Sequence, residues 1–272
     1  MNDKKDIYQE EACIQDSVAA AYDSVYENLL AYTARWDHLC NIVDIYVSSA
    51  NARILEIGCG TATFLHHLSA RGRTSLYGCD LSEMVLEVAQ KKVPNGMFRQ
   101  ANMLSMPYEN EYFDVVVFMG SLHHVPTEDI EIAFEEAKRV LRPNGVLMVA
   151  DSNSEYDDFI PMLMTKIFRR VLYYKNYFLM KKRFKFDPHD SANYSQAHAH
   201  KSRIDYINMA LKTDCLQLLR EYQNEHFVIQ FEGVLMRESA FDNLVYKILS
   251  LMDHCFPLRP MAQLVLVFRK QP

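Results

Sequence analysis

Three groups of residues in this chain have types and spacing suited to chemistry. The run ILEIGCGTATF at residues 54–64 places Glu56, Gly58 and Gly60 in E-x-G-x-G order, after a short apolar stretch and before a helical one. Glycines in such a turn let the backbone approach a ligand closely, and the free N–H groups of the following helix favour an anionic group. The same residues also serve a tight strand-to-helix turn that binds nothing. Asp80 follows Gly60 by 20 residues, where a carboxylate can accept both hydroxyls of a ribose. A dinucleotide fingerprint would want a third glycine at position 63, which is Thr63; the next glycine after Gly60 is Gly72. The pattern therefore weakens NAD and leaves other nucleoside cofactors. Ser121-Leu122-His123-His124 supplies two imidazoles, whose ordinary pKa suits a general base near neutral pH. Each of these histidines can equally cap the following helix.

A further cluster lies later in the chain. Residues 166–186, KIFRRVLYYKNYFLMKKRFKF, carry eight Lys and Arg and no acid. The chain has a formal net charge of -6, so the remainder carries eight more negative charges than that, or -14. Interleaved Phe168, Tyr173, Tyr174, Tyr177, Phe178 and Phe184 suit an aromatic or lipophilic ligand, and the cations an anionic one. Three readings stay open: a lid over a substrate, a basic surface lying on an anionic membrane, and a solvated helix pair with an apolar underside. Tyr194 and His198, in the polar stretch that follows, are candidate substrate contacts; a surface loop is the alternative.

These residues need elements to position them. From residue 53, short apolar runs punctuated by Gly and Asp alternate with helical stretches, the pattern of stacked βαβ units. Strands are expected at Arg53 to Ile57, Ser75 to Cys79, Met97 to Ala101, Asp114 to Met119 and Val146 to Ala150. Right-handed crossovers make these one parallel sheet, so ligand-binding residues should follow the strands' carboxyl ends. Ahead of the sheet, Val18, Tyr22, Val25, Tyr26, Leu29 and Leu30 recur at helical spacing, as do Trp36, Leu39, Cys40, Val43 and Val47. Behind it, Ile204, Ile207, Leu211, Cys215, Leu218 and Leu219 read as one helical face. Apolar runs at Phe227 to Phe231 and Leu264 to Phe268, with a helix from Phe241 to Cys255 between them, complete a terminal strand, helix, strand unit.

With 272 residues and 49% hydrophobic composition, the chain can bury one large core, and it shows no repeat or long linker. The acidic balance argues against a protein that coats nucleic acid. No run approaches the roughly 18 apolar residues of a spanning helix, and the polar start MNDKKDIYQEE does not resemble a signal peptide. A cytoplasmic protein is expected. Its six cysteines form no C-x-x-C pair and sit mostly in apolar runs, as free thiols rather than zinc ligands.

Four motifs in order then carry a family resemblance: EIGCGTA at 56–62, CDLSEM at 79–84, FDVVVFMGSLHHV at 113–125 and RVLRPNGVL at 139–147. The stretch from about 50 to 151 resembles class I S-adenosylmethionine-dependent methyltransferases, of the small-molecule group that methylates quinone rings and phosphoethanolamine. The resemblance implies an α/β, Rossmann-like seven-stranded sheet of order 3-2-1-4-5-7-6, last strand antiparallel, flanked by helices. It further implies N-terminal helices over residues 1–50, a cofactor-binding core over 51–153, a helical lid inserted over 154–201 and a C-terminal part over 202–272, all in one domain. By resemblance, Gly58 and Gly60 pass under the cofactor's amino-acid part, Glu56 holds its ammonium, and Gly120 is a further cofactor-binding residue. Asp80 takes the ribose diol, Leu81 packs on the adenine, and Asn102 and Met103 read and line its ring. Ala62 stands where the family has a third glycine, and Asn102 where it often has an acid.

The resemblance makes His124 a base that can pair with a tyrosine from the N-terminal helices, for which Tyr22 and Tyr26 are candidates, with His123 beside it. No bound metal is implied: a metal-assisted catechol reaction would want a carboxylate after the fourth strand and an Asp-Asn pair after the fifth. Gly120-Ser121 and Asp151-Ser152-Asn153 stand there instead. The expected activity is methylation of O, N or C on a small aromatic or hydrophobic molecule, with a natural-product or quinone-like substrate. The alternatives are a lipid or phospho-amine headgroup methyltransferase and a non-catalytic scaffold that binds the cofactor.

Overall fold

The computed structural model describes residues 7–16, 30–152, 201–223, 239–255 and 263–272. Seven strands form one sheet in the order β3-β2-β1-β4-β5-β7-β6. They are β1 (Ile54–Ile57), β2 (Leu76–Asp80), β3 (Met97–Gln100), β4 (Phe113–Met119), β5 (Leu141–Ser152), β6 (Leu216–Gln223) and β7 (Gln263–Lys270). The first five run parallel, and β7 is antiparallel to both β5 and β6. The helices are α1 (residues 7–16), α2 (Leu30–Tyr46), α3 (Thr63–Ala70), α4 (Glu83–Lys92), α5 (Thr127–Val140), α6 (Arg203–Lys212) and α7 (Ala240–Cys255). The expected sheet order is the observed one. Among the described residues, no helix is long and apolar enough to cross a membrane.

The central strands are mostly apolar because both faces are covered, as parallel sheets require. Along β4, Val115, Val117 and Met119 join one core with α2, α3 and α4, through Leu39, Val43, Phe64, Leu65 and Val85. Val116 and Phe118 join the opposite core with α5 and α6, through Ile130, Phe134, Ala137 and Tyr206. The period of two thus assigns each residue to a layer. β3, at the sheet's edge, is mostly exposed and carries Arg99 and Gln100, which suits an unpaired border.

Three expectations need correction. The fifth strand begins at Leu141, pairs with Phe113 there, and resumes pairing only at Val146 with Val115. The Arg142-Pro143-Asn144-Gly145 turn is therefore a bulge inside the strand, with Asn144 at φ 63°. The helical face expected from Ile204 to Leu219 is in fact two elements. α6 ends at Lys212, Cys215 takes φ 73°, and Leu216–Gln223 is β6. A register shift between Leu218 and Arg220 changes the phase of β6, so that Leu216 and Leu218 face one core while Leu219 and Tyr222 face the other. That bulge turns a period of two into three-and-four spacing that imitates a helix. The face α6 buries is Tyr206 and Ala210, with Ile204 and Leu211 each 48% exposed. The strand pairing with β7 is therefore Leu216–Gln223, and the Phe227 to Phe231 run lies outside the described residues. Among the described cysteines, Cys40, Cys59 and Cys79 are buried and Cys13 and Cys215 exposed, and all five are free thiols as expected.

α2 is fixed to the sheet layer by Arg73, which is buried. Its guanidinium donates to the Val47 and Ser49 carbonyls at 2.5 and 2.6 Å and pairs with Asp44 at 2.5 Å. Truncation leaves these acceptors without their charged donor. Arg73→Met is expected to cost about 1–3 kcal/mol in denaturant unfolding. Arg142→Ala, which removes a half-exposed ion pair with Asp114, is expected to cost below about 1 kcal/mol. Equal losses in the two variants would contradict this ranking.

Candidate active site at the carboxyl ends of the parallel strands

The loop after β1 is held by its neighbours before any ligand arrives. Gly58 and Cys59 N–H groups both donate to the Cys79 carbonyl on β2, at 2.8 and 3.0 Å. Gly58 has φ 68°, and a Cβ there would lie 2.5 Å from the Cβ of Ser121, so the β1 and β4 loops touch through the missing side chain. Ser121 Oγ in turn donates to the Ile57 carbonyl at 2.9 Å. Gly60, at φ 49°, faces open space. Ala62 adopts φ 57° at the start of α3, a left-handed conformation that costs an alanine about 1–2 kcal/mol and a glycine little.

Two carboxylates flank this loop. Asp80 accepts from Gly60 N–H at 2.9 Å through Oδ2 and from Ser82 N–H at 3.1 Å through Oδ1, which fixes its plane and leaves further lone pairs for a diol. Burial pushes its carboxyl up, and these N–H groups oppose the shift. Glu56, on β1, is 3% exposed, and its Oε2 has no hydrogen-bond partner. Burial, then the charge of Asp80, holds its carboxyl well above the usual range; the Leu65 N–H, Lys92 and Arg35 pull the other way. A buried acid with an orphaned oxygen is costly alone. An ammonium group supplied by a ligand would satisfy it, so these residues fit an amino-acid-bearing nucleoside.

The remaining cofactor positions lie around the same cleft. Met103 reaches to within 3.7 Å of the Cβ position of Gly58. Asn102 Oδ1 accepts from Leu104 N–H at 2.9 Å, which orients its amide and leaves one lone pair for an adenine amino group. Leu81 is partly buried at the start of the turn into α4, its carbonyl held by Gln100 Nε2 at 2.9 Å. Gly120, at φ 60°, has its N–H on the Ala150 carbonyl at 2.7 Å, and Arg35 from α2 approaches its Cβ position at 3.8 Å. Sequence reading missed Arg35, which sits in an unremarkable helical stretch.

Beyond β4, the two histidines sit on a 3₁₀ turn, Leu122–His124, their ring centroids 4.2 Å apart. His123 Nδ1 lies 2.6 Å from Asp151 Oδ1, and its N–H donates to Asp151 Oδ2 at 3.3 Å. Asp151 is the penultimate residue of β5, and its side chain is wholly buried. His124 Nδ1 lies 3.0 Å from Glu11 Oε1 on α1. Neither carboxylate was assigned a role from sequence. Asp151 was within reach of the rule that ligands bind beyond strand carboxyl ends. Glu11 had no local signal, since its role depends on where α1 docks. Tyr22, Tyr26, Tyr194 and His198, with the 154–200 insertion, lie outside the described residues. Among the described residues, no group of three or more His, Cys, Asp or Glu is placed to hold a metal ion.

Residues 54–145, which contain the glycine loop, Asp80 and both histidines, match the family described as a methyltransferase domain. This stretch, about a third of the chain, is similar to methyltransferase domains, and the observed sheet order is the one that the resemblance implies. An uncharacterized methyltransferase of Oceanobacillus iheyensis is 26% identical over 150 residues, covering 55% of this chain and 67% of its own. The 27-O-demethylrifamycin SV methyltransferase of Amycolatopsis mediterranei is 32% identical over 108 residues, 38% and 39% of the two chains. A probable tRNA methyltransferase 9B of Mus musculus is 28% identical over 132 residues, 46% and 28% of the two chains. The chain thus spans well under two thirds of the length of the last two. The solved structure of the [4+2]-cyclase SpnF superposes with a TM-score of 0.62 at 15% identity, over 96% of this chain and 95% of that one, which shows a shared fold.

The buried Glu56 gives a test of whether this loop takes an ammonium-bearing ligand. At low pH the residue is protonated both folded and unfolded, so its burial carries no charge penalty. As pH rises through its raised folded value, the ligand-free protein must bury a charge or hold a proton against solution, and stability is lost. Ligand-free Glu56→Gln is therefore expected to match wild type in thermal unfolding near about pH 4 and to exceed it near about pH 8. The same variant should gain less stability than wild type from added S-adenosylmethionine. A constant difference across pH would contradict the assignment.

Proposed function

We propose that this protein methylates an ionisable nucleophile, foremost a hydroxyl, on a small aromatic or hydrophobic molecule, with His123 as the base. The His123–Asp151 pair carries the reading. A carboxylate 2.6 Å from Nδ1 favours the tautomer with the proton on Nδ1. Nε2 is then left with its lone pair, able to take a proton from a substrate held beside the cofactor loop. His124 stands next to it and supports the same region.

S-adenosylmethionine supplies an electrophilic methyl group on a sulfonium. The chain's own tasks are to align the nucleophile with that methyl, exclude water and remove the nucleophile's proton. Gly58, Gly60, Glu56 and Asp80 would fix the cofactor, with Asn102, Met103 and Leu81 around its adenine and Gly120 below the transfer point. His123 would receive the proton on Nε2, and Asp151 would stabilise the resulting imidazolium. Tyr22 remains a proposed lid partner for the histidines, and Tyr26, Tyr194 and His198 proposed substrate contacts. The basic, aromatic segment 166–186 suits a substrate with an aromatic body and an anionic group. A relative named for O-demethylated rifamycin supports an oxygen nucleophile on a natural product. The net charge of -6 disfavours the nucleic-acid substrate that the tRNA-named relative would suggest. Metal-free transfer and a small-molecule partner belong to the same reading.

Incubation with methyl-labelled S-adenosylmethionine and a metabolite extract, followed by mass spectrometry, is expected to show a small molecule heavier by the transferred methyl. Labelled tRNA or phospholipid alone would overturn the substrate class, and no labelled product would leave a cofactor-binding scaffold. With that substrate, His123→Ala is expected to lower turnover by about 100- to 10000-fold, leaving cofactor affinity in place. Asp151→Asn should reproduce most of that loss. Full turnover in both variants would remove the base assignment.

A further inference from the structure

Between β3 and β4, residues 101–112 form the loop that carries Asn102 and Met103. Its first turn is closed locally: Ser105 N–H donates to the Asn102 carbonyl at 3.0 Å, and Leu104 N–H to Asn102 Oδ1 at 2.9 Å. Such a turn orients the Asn102 amide only while its far end stays in place. That end is Met106, and α5 grips it at both backbone groups. Met106 N–H donates to Glu136 Oε1 at 2.5 Å, and Arg139 Nη2 donates to the Met106 carbonyl at 3.0 Å. Arg139 Nη1 reaches the Tyr108 carbonyl at 2.8 Å and Asn110 Oδ1 at 2.7 Å, while Nε and Nη2 return to Glu136 at 2.8 and 2.7 Å. All five N–H donors of the guanidinium are thus placed, three of them on the loop.

The neighbouring pair on α5 shows that ion pairing alone does not explain this. Glu135 and Lys138 have the same i, i+3 spacing, but Glu135 is 51% exposed, and a surface pair of that kind contributes little. Glu136 is 13% exposed; burial works against its charge, yet Arg139 and the Met106 N–H hold its carboxyl below the usual range. Arg99, on β3, also donates to the loop, at the Pro107 carbonyl, but from an exposed position. The Met106 side chain in turn brings its sulfur to 3.6 Å from Cys79 Sγ, and the Cys79 carbonyl holds the Gly58 and Cys59 N–H groups. The grip from α5 therefore lands on the residue that joins the loop after β3 to the glycine loop.

We propose that Glu136 and Arg139 are positioning residues for base selection, holding the loop after β3 so that Asn102 presents its oxygen, and not its NH2, to the cofactor's purine. The inference rests on the reading of Asn102 as an adenine contact. With Oδ1 turned to Leu104 N–H, its remaining lone pair accepts from an amino group, whereas a purine with an oxygen there would set acceptor against acceptor. A loosened turn lets the amide rotate and offer Nδ2 instead, and the preference for adenine falls.

The test uses the full chain and calorimetric binding of S-adenosylhomocysteine against S-inosylhomocysteine, which carries an oxygen in place of the adenine amino group. Wild type is expected to prefer the adenosyl ligand by about tenfold or more, the effect of one buried hydrogen bond left unmade. Arg139→Met should cut that preference to about threefold or less, and so should Arg139→Lys, which keeps the charge but not the planar fork. Lys138→Met, one residue away on the same helix, should keep the wild-type preference. In the ligand-free chain, amide hydrogen exchange at Leu104 and Ser105 should quicken by about tenfold or more in both Arg139 variants relative to Val117 in β4, which separates a loosened loop from general destabilisation. Unchanged exchange at Leu104 and Ser105 in both Arg139 variants, or an undiminished preference for the adenosyl ligand, would overturn the proposal. Wild type that binds neither ligand, or both equally, would overturn the adenine reading of Asn102 beneath it, whatever the exchange shows.

Discussion

Removing a carboxylate from water is costly unless a cation or several donors replace the lost hydration, and this protein gathers such groups at one end of its sheet. Asp80 is the best compensated, with N–H groups from Gly60 and Ser82 on its two oxygens. Asp151 is compensated by His123, and Glu11 faces His124. Glu56 retains an oxygen with no partner. The arrangement reads as a site preorganised for positive charge, with its least satisfied acid where an ammonium would enter. The rigid parts of the structure serve that end. The cores on both faces of the sheet, together with Arg73 beneath α2, hold the strand ends in register, so the acids cannot move apart to relieve their cost.

The contact between the β1 and β4 loops gives the site its second constraint. Gly58 has no room for a side chain because Ser121 fills the space, and Ser121 is itself anchored on Ile57. The loop that fits the cofactor and the turn that bears the histidines are therefore one mechanical unit. Placing His123 in relation to a bound ligand follows from backbone packing rather than from flexible side chains, as an in-line displacement requires.

Much of this was legible in the chain because its signals are local. E-x-G-x-G after an apolar run, an acid at the end of the next strand and a Ser-Leu-His-His turn each lie within a few residues of the structure they specify. The strands β1 to β4 were placed within a residue or two for the same reason. The failures have physical causes. β6 was read as helix because its bulge at Leu218–Arg220 changes the apolar period. The strand of Leu141–Ser152 was cut short because its Arg-Pro-Asn-Gly bulge looks like a terminator. The contacts of Glu11 with His124 and of Asp151 with His123 join distant segments, which no spacing rule reports.

Burial holds the Glu56 carboxyl well above its usual range, so an ammonium-bearing ligand entering beside it would displace a proton. Calorimetric titration with S-adenosylmethionine, repeated near about pH 6 in buffers of different ionisation enthalpy, counts protons released on binding. Release is expected from the wild type as Glu56 ionises against the bound ammonium, with a clear reduction in Glu56→Gln. Binding without proton release, or equal release by both proteins, would contradict it.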